Sequence, residues 1–280
     1  GLNVVKSEEG SKLTISGGKF ENNFGKKWSY TATILVYGET LITGGEFIQE
    51  TANTSSYAQV VMTGVVDGYT SITKITGGSF TSTRGIFRGL GKATSDNFEV
   101  SGGTLNSANT YAIENWFRAT VKNGTVNGAV SSWTYSGGSN STLEIIGGTI
   151  NGDVTSVNYG NATDKKARVS VTGGTINGML DTRSYDPATG DLTSINDATK
   201  ATIGITGGTF STDPTKYVVE DSAITENENG TFGVEKTYLA KVGETSYYTM
   251  EEAFKAQTAS GEAIVMLRDY TTVSTFNSGS

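Results

Sequence analysis

The chain has no cysteine, no histidine and only 2 prolines among its 280 residues. Without cysteine there are no disulfides, thiolate nucleophiles or thiolate metal sites. Without histidine there is no imidazole base or ligand, which excludes Ser-His-Asp triads and His-bound zinc. The sequence contains no apolar run of the length a membrane-spanning helix needs, about eighteen residues or more, and no charged-then-apolar leader. Membrane insertion is therefore not expected. Basic residues are outnumbered by acidic ones, 21 to 28, for a net charge of −7 and no Lys/Arg block. Nucleic acid is excluded as a partner because phosphate charge must be met by a basic face. Hydrophobic residues make up 35%, below the ~45–50% of an ordinary domain, so a conventional thick core is not expected.

What the chain does have is glycine, 37 residues of it. Gly-Gly pairs begin at Gly17, Gly44, Gly77, Gly102, Gly147, Gly173 and Gly207, with a degenerate copy at Asn123-Gly124. The steps are 27, 33, 25, 21, 24, 26 and 34 residues, a period that suits one turn of a parallel β-helix. Two residues before each pair stands a β-branched aliphatic: Ile15, Ile42, Ile75, Val100, Val121, Ile145, Val171 and Ile205. Two residues after it stands Phe20, Phe47, Phe80, Leu105, Val126, Ile150, Ile176 or Phe210. A further apolar position precedes the first column in six copies, while Thr40 and Thr73 break it in the others. Alternation with a period of two marks strands with one buried face. Glycine between them allows positive φ and close stacking of backbones. One such unit cannot bury its apolar side alone, so the units must stack.

The expected fold is all-β: a right-handed parallel β-helix, a single-stranded β-solenoid of about eight rungs, roughly 38 Å long at ~4.8 Å per rung. Residues 1–211 form it, and residues 212–280 are a C-terminal segment or the start of a further module. Where the residue after the pair is aliphatic, asparagine follows: Asn106, Asn127, Asn151 and Asn177. Three of these continue as Asn-Gly, a turn signature, and the spacing predicts an asparagine ladder with amides bonded rung to rung. Beyond Asp213-Pro214, residues 217–248 alternate as one or two hairpins. Thr249 and Glu252 form a capping box, Met250, Ala253 and Phe254 give a small apolar face, and Ser260-Gly261 ends the helix. Residues 263–267 read as a buried strand. A β–α–β cap over the open end of the solenoid is the expectation, because bare strand edges pair with other chains.

The strings ITGGTFSTDPTKYV (205–218), VTGGTI and IIGGTI resemble repeats in large cell-surface proteins of gut Gram-positive bacteria, of the pectate-lyase-like β-helix superfamily. The tail from Tyr238 to Thr271 is similar to a module that opens or separates β-helix segments in such proteins. The resemblance covers nearly the whole chain and implies an extracellular, secreted or wall-attached parent polypeptide of which this chain is a fragment. It carries over no catalytic residue, because the matched positions are glycines, threonines and core aliphatics.

Aromatic recognition is carried by Trp28 with Tyr30 and Trp133 with Tyr135, which lie between the corners where rings can stack on sugars or protein patches. Trp116 is assigned to interior or loop packing. Acidic residues gather at Asp181, Asp186, Asp191 and Asp197 near Arg183. Asp186 and Asp191 are the candidates for a Ca²⁺ site, set against a solvated, turn-rich arm; no other cofactor is expected. An outward threonine column is interrupted by Lys19 and Glu46, which excludes ice binding. The reading is a structural and adhesive surface module, not an enzyme, with a host or cell-wall glycan or protein as partner. The alternative is a polysaccharide lyase or glycoside hydrolase of β-helix fold.

Overall fold

The computed structural model describes residues 3–23, 31–49, 58–91 and 97–268. Three parallel ladders run through them. The first stacks Lys12–Ile15, Glu39–Ile42, Ile72–Ile75, the starts of the long strands Asn97–Asn115 and Arg118–Tyr135, then Ser141–Ile145, Ala167–Ile176 and Ala201–Phe210. The second begins after each glycine pair, from Lys19–Asn22 through Glu46–Gln49 and Ser79–Ser82 to the ends of Ala167–Ile176 and Ala201–Phe210. The third stacks Val5–Ser7, Ile34–Val36, Val61–Thr63, Phe87–Gly89, the ends of the two long strands, Val154–Tyr159 and Leu180–Tyr185. The molecule is all-β and solenoid-like, with one α-helix among the described residues.

Parallel in-register stacking places like on like. The column from Ile15 to Ile205 is no more than 6% exposed anywhere, and the Phe20, Phe47 and Phe80 rings stack with centroids 5.0 and 4.7 Å apart. These columns and the Val5-to-Leu180 column of the third ladder enclose one continuous apolar interior. Thr40 and Thr73 do not leave it. They stack in register at 3% and 0% exposure, so the inward column simply carries two hydroxyls there.

The two glycines of a pair have different duties, shown at Gly102-Gly103. A Cβ on Gly102 would lie 2.3 Å from the Thr76 carbonyl oxygen of the rung beneath, so this position is glycine for contact. Gly103 has φ +85°, so it is glycine for conformation. The asparagine ladder is present. Asn127, Asn151 and Asn177 each donate from Nδ2 to Oδ1 of the asparagine one rung earlier, at 2.7, 2.7 and 2.8 Å.

The C-terminal end corrects the expected β–α–β cap. The cover on the last rung is an antiparallel hairpin, Ser222–Glu226 with Phe232–Lys236, whose Phe232 pairs with Phe210. Val234 is buried in the main core, with Tyr217, Val218, Ile224 and Phe232 packed against it. The helix Met250–Ser260 instead packs on a separate three-stranded sheet of Ala240–Val242, Thr245–Tyr247 and Ile264–Met266, around Ala240, Val242 and Ala253. Its capping box and its left-handed Gly261 terminus are both present. The last strand is not buried: Val265, which alternates away from the helix-covered face of Ile264, is 54% exposed, and Met266 at the strand end is 44% exposed.

Candidate functional site

The outer face of the third ladder carries the aromatic residues. Along Arg118–Tyr135, Val130 belongs to the main core, and alternation sends Trp133 and Tyr135 to the outside. Neighbouring rungs place Tyr159 and Tyr185 in register with Tyr135, and Val157 and Arg183 in register with Trp133. Tyr159 and Tyr185 stack with centroids 5.1 Å apart. Trp116 lies beneath, 5.4 Å from Trp133 and edge-on to Tyr135 and Tyr159 at 5.6 and 5.7 Å. Trp133 also meets Tyr111 and Tyr185 edge-on, at 5.7 and 5.8 Å.

This arrangement corrects the expected role of Trp133. It is 7% exposed and its indole N–H donates to Ser131 Oγ at 2.7 Å, so neither its face nor its polar edge is free. Trp116 is similarly placed, at 8% exposure with its N–H on Glu114 Oε1. Glu114 is held in turn by Arg88 at 3.2 Å. The two indoles form a rigid floor, and the half-buried tyrosines form the accessible rim. Tyr135 stands on that rim; Trp28 and Tyr30 lie outside the described residues.

Sequence reasoning missed Tyr159 and Tyr185, although a signal exists. Tyr135, Tyr159 and Tyr185 are separated by 24 and 26 residues, the same steps that separate the corners at 123, 147 and 173. Adding the repeat step to Tyr135 finds both.

A cleft of about 530 Å³ adjoins the aromatic rim, lined by Tyr111, Asp153, Thr155 and Arg183 among others. Burial pushes the Tyr111 hydroxyl pKa up, so it stays a neutral donor and acceptor. Burial alone would raise Asp181. Hydrogen bonds from Ser194 at 2.5 Å and Arg183 at 2.8 Å outweigh it and hold the carboxyl below its ordinary range. Arg183 is likewise opposed by burial, but Asp181 holds its pKa above the ordinary value. Its Nε is committed to Asp181, and the guanidinium reaches the cleft wall. Asp153 lines the cleft, and its Oδ1 accepts from the Met179 amide at 2.9 Å. A fixed cation, a carboxylate and a phenol beside flat rings can bind a polyhydroxylated ligand.

Asp186 and Asp191 close the tip of a hairpin between Leu180–Tyr185 and Leu192–Ser194. The Asp186 amide donates to the Asp191 carbonyl at 2.9 Å, and Asp186 Oδ1 accepts from the Ala188 amide at 2.8 Å. Turn formation therefore accounts for Asp186. Among the described residues no group of three or more acidic side chains gathers as a metal cage, which leaves the metal expectation without further support. No described helix is long and apolar enough to cross a membrane. No family model matches the chain, and no curated protein or solved structure is significantly similar to it.

Proposed function

We propose that this chain is a right-handed parallel β-helix segment of an extracellular bacterial surface protein, a stiff rod that displays a glycan-binding face. The tyrosine column Tyr135, Tyr159 and Tyr185 on its indole floor carries this reading. Rings fixed at the rung spacing form a platform that loses little conformational entropy when a sugar or protein patch covers it. Arg183 and Asp153 beside it supply polar groups for orientation.

A hydrolase needs a carboxyl held protonated near neutral pH, opposite a second carboxylate. Asp181 is shifted the other way and committed to Arg183 and Ser194, which favours binding over turnover. The test is a glycan array with the intact chain, followed by calorimetry on the best ligand with Tyr159→Ala and Tyr185→Ala. Each substitution is expected to weaken binding about tenfold or more, equivalent to ~1.4 kcal/mol. Binding indifferent to both would remove the platform, and release of reducing or unsaturated ends from pectin, alginate or mucin glycans would replace the adhesive reading with the enzymatic one.

A further inference from the structure

In every Gly-Gly pair but one, the first glycine is there for contact. At Gly44, Gly77, Gly102, Gly147, Gly173 and Gly207 a Cβ would lie 2.3–2.7 Å from a carbonyl oxygen of the rung beneath, and none of the six has a left-handed φ. Gly17 holds the same place in the repeat, also outside the left-handed region, yet a Cβ there meets nothing within 4 Å. Neither conformation nor crowding among the described residues requires glycine at this position. Glycine costs backbone entropy on folding, so one that meets neither need points to a contact with something further along the stack.

The rest of the first rung is open in the same direction. Among the described residues, Val5–Ser7, Lys12–Ile15 and Lys19–Asn22 each pair along one edge only, with the second rung. The inward columns are also open there. Val5, Leu13 and Phe20 are half-buried, whereas their partners in register, Ile34, Thr40 and Phe47, are at most 3% exposed. The other end of the solenoid is closed by the hairpin of Ser222–Glu226 and Phe232–Lys236. Unpaired parallel edges beside unfinished apolar columns form a seat for another strand layer. The fitting partner is narrowly defined: strands parallel to these edges, apolar side chains under Leu13, Ile15 and Phe20, and a backbone carbonyl under Gly17.

We propose that the N-terminal edge of the solenoid seats one more rung of the same repeat, supplied by the polypeptide upstream of Gly1. Its corner carbonyl lies under Gly17 as Ser16 O lies under Gly44, and its apolar residues continue the Ile15 and Phe20 columns. The shortest step between corners is 21 residues and only 16 residues precede Gly17, so residues 1–16 cannot hold it. This rung extends the rod proposed above, and it rests on the ladders and not on glycan binding.

Residues 141–153 carry the first two strands of a rung and lead into Val154, which shares its third-ladder column with Val5. A copy of them fused directly ahead of Val5 in the full chain, in place of residues 1–4, supplies the rung. Amide protection over Lys12–Ile15 and Lys19–Asn22 is expected to rise at least about tenfold, and the melting temperature to rise with it. Gly17→Ala, harmless in the parent, is expected to lower the melting temperature of the extended chain by roughly 6–12 °C, as Gly102→Ala does in the parent. Ile145→Asp with Ile150→Asp, made in the copied segment alone, leaves the parent rungs intact and is expected to abolish both gains. In the source gene, the codons upstream of Gly1 are expected to encode a further aliphatic–x–Gly–Gly–x–apolar unit at the spacing of the other corners, 21–34 residues. Unchanged protection in the extended chain, a Gly17→Ala effect equal in both chains, or upstream codons without such a unit would each overturn the proposal. So would a parent chain that dimerises and loses its dimer on Gly17→Arg, since a second copy would then be the occupant.

Discussion

Gly17 and Gly102 occupy the same place in the repeat, yet replacing them with alanine has opposite consequences. Both lie outside the left-handed φ region, so neither is glycine for conformational reasons. A Cβ on Gly17 meets nothing within 4 Å, because no described rung lies beneath it. A Cβ on Gly102 would sit 2.3 Å from Thr76 O and 2.9 Å from its carbonyl carbon, about 1 Å inside ordinary contact. The obstructing atoms are backbone, and the Thr76 amide is itself bonded to Ile42 O, so the rung cannot yield without straining the ladder. Overpacking of this kind costs about 1–3 kcal/mol, and disturbed ladder bonds move the value to the upper end. Gly102→Ala is expected to destabilise by about 3 kcal/mol, or roughly 6–12 °C in melting temperature for a chain of this size. Gly17→Ala is expected to stay within about 0.5 kcal/mol of the parent. Urea unfolding gives the totals. Hydrogen exchange locates the loss, because a solenoid can open locally, and protection is expected to fall around residues 76–79 and 102–105 first. Equal losses for the two variants would refute the reasoning, since the glycines would then serve the local turn and not the stack.

Asn127→Asp removes the donor to Asn106 and sets two acceptors face to face. The folded state then favours the protonated carboxyl, so its pKa rises above the unfolded ~3.9. Its stability penalty is present at neutral pH, is relieved as pH falls through the raised folded value and is gone below the unfolded one, which melting curves from pH 7 to 3 would detect. Asp181 behaves in the opposite sense. Its lowered pKa contributes stability present above the ordinary carboxylate range and lost as pH falls through the folded value, so Asp181→Asn is expected to flatten the acid limb of the melting curve. Adding Ca²⁺ is expected to leave the melting temperature unchanged; a rise abolished by Asp186→Asn would restore a metal site there.

The first two ladders were legible because their corners repeat without gaps. Gly77-Gly78, Ile75 and Phe80 align with every other copy, and the amides of Asn106 to Asn177 bond as their spacing implies. The Thr249–Glu252 box was legible for a different reason, since a cap is a local interaction spanning four residues. The third ladder was not. Its strands follow loops of variable length, and Ser132, Thr134, Ser156 and Asn158 face inward although they are polar. Hydrogen bonds such as Asn158 Nδ2 to Ala162 O and Thr134 Oγ1 to Ser139 O, both at 2.8 Å, depend on the chain's path around the corner. The burial of Trp133 depends on Trp116, Tyr111 and Tyr185 arriving from other rungs.

The steps between corners range from 21 to 34 residues, while paired positions on the ladders remain matched rung after rung. Drift in length is thereby confined to the loops, and the smallest heritable unit is a whole rung. Copying the 24 residues from 123 to 146 would lengthen the rod by one storey and add one amide to the asparagine chain. The copied corner glycines, Gly124 and Gly128, would each find a carbonyl beneath them. A gene for such a protein can grow or shrink by unequal crossing-over without passing through an unfolded ancestor, and a change in reach then requires no new core.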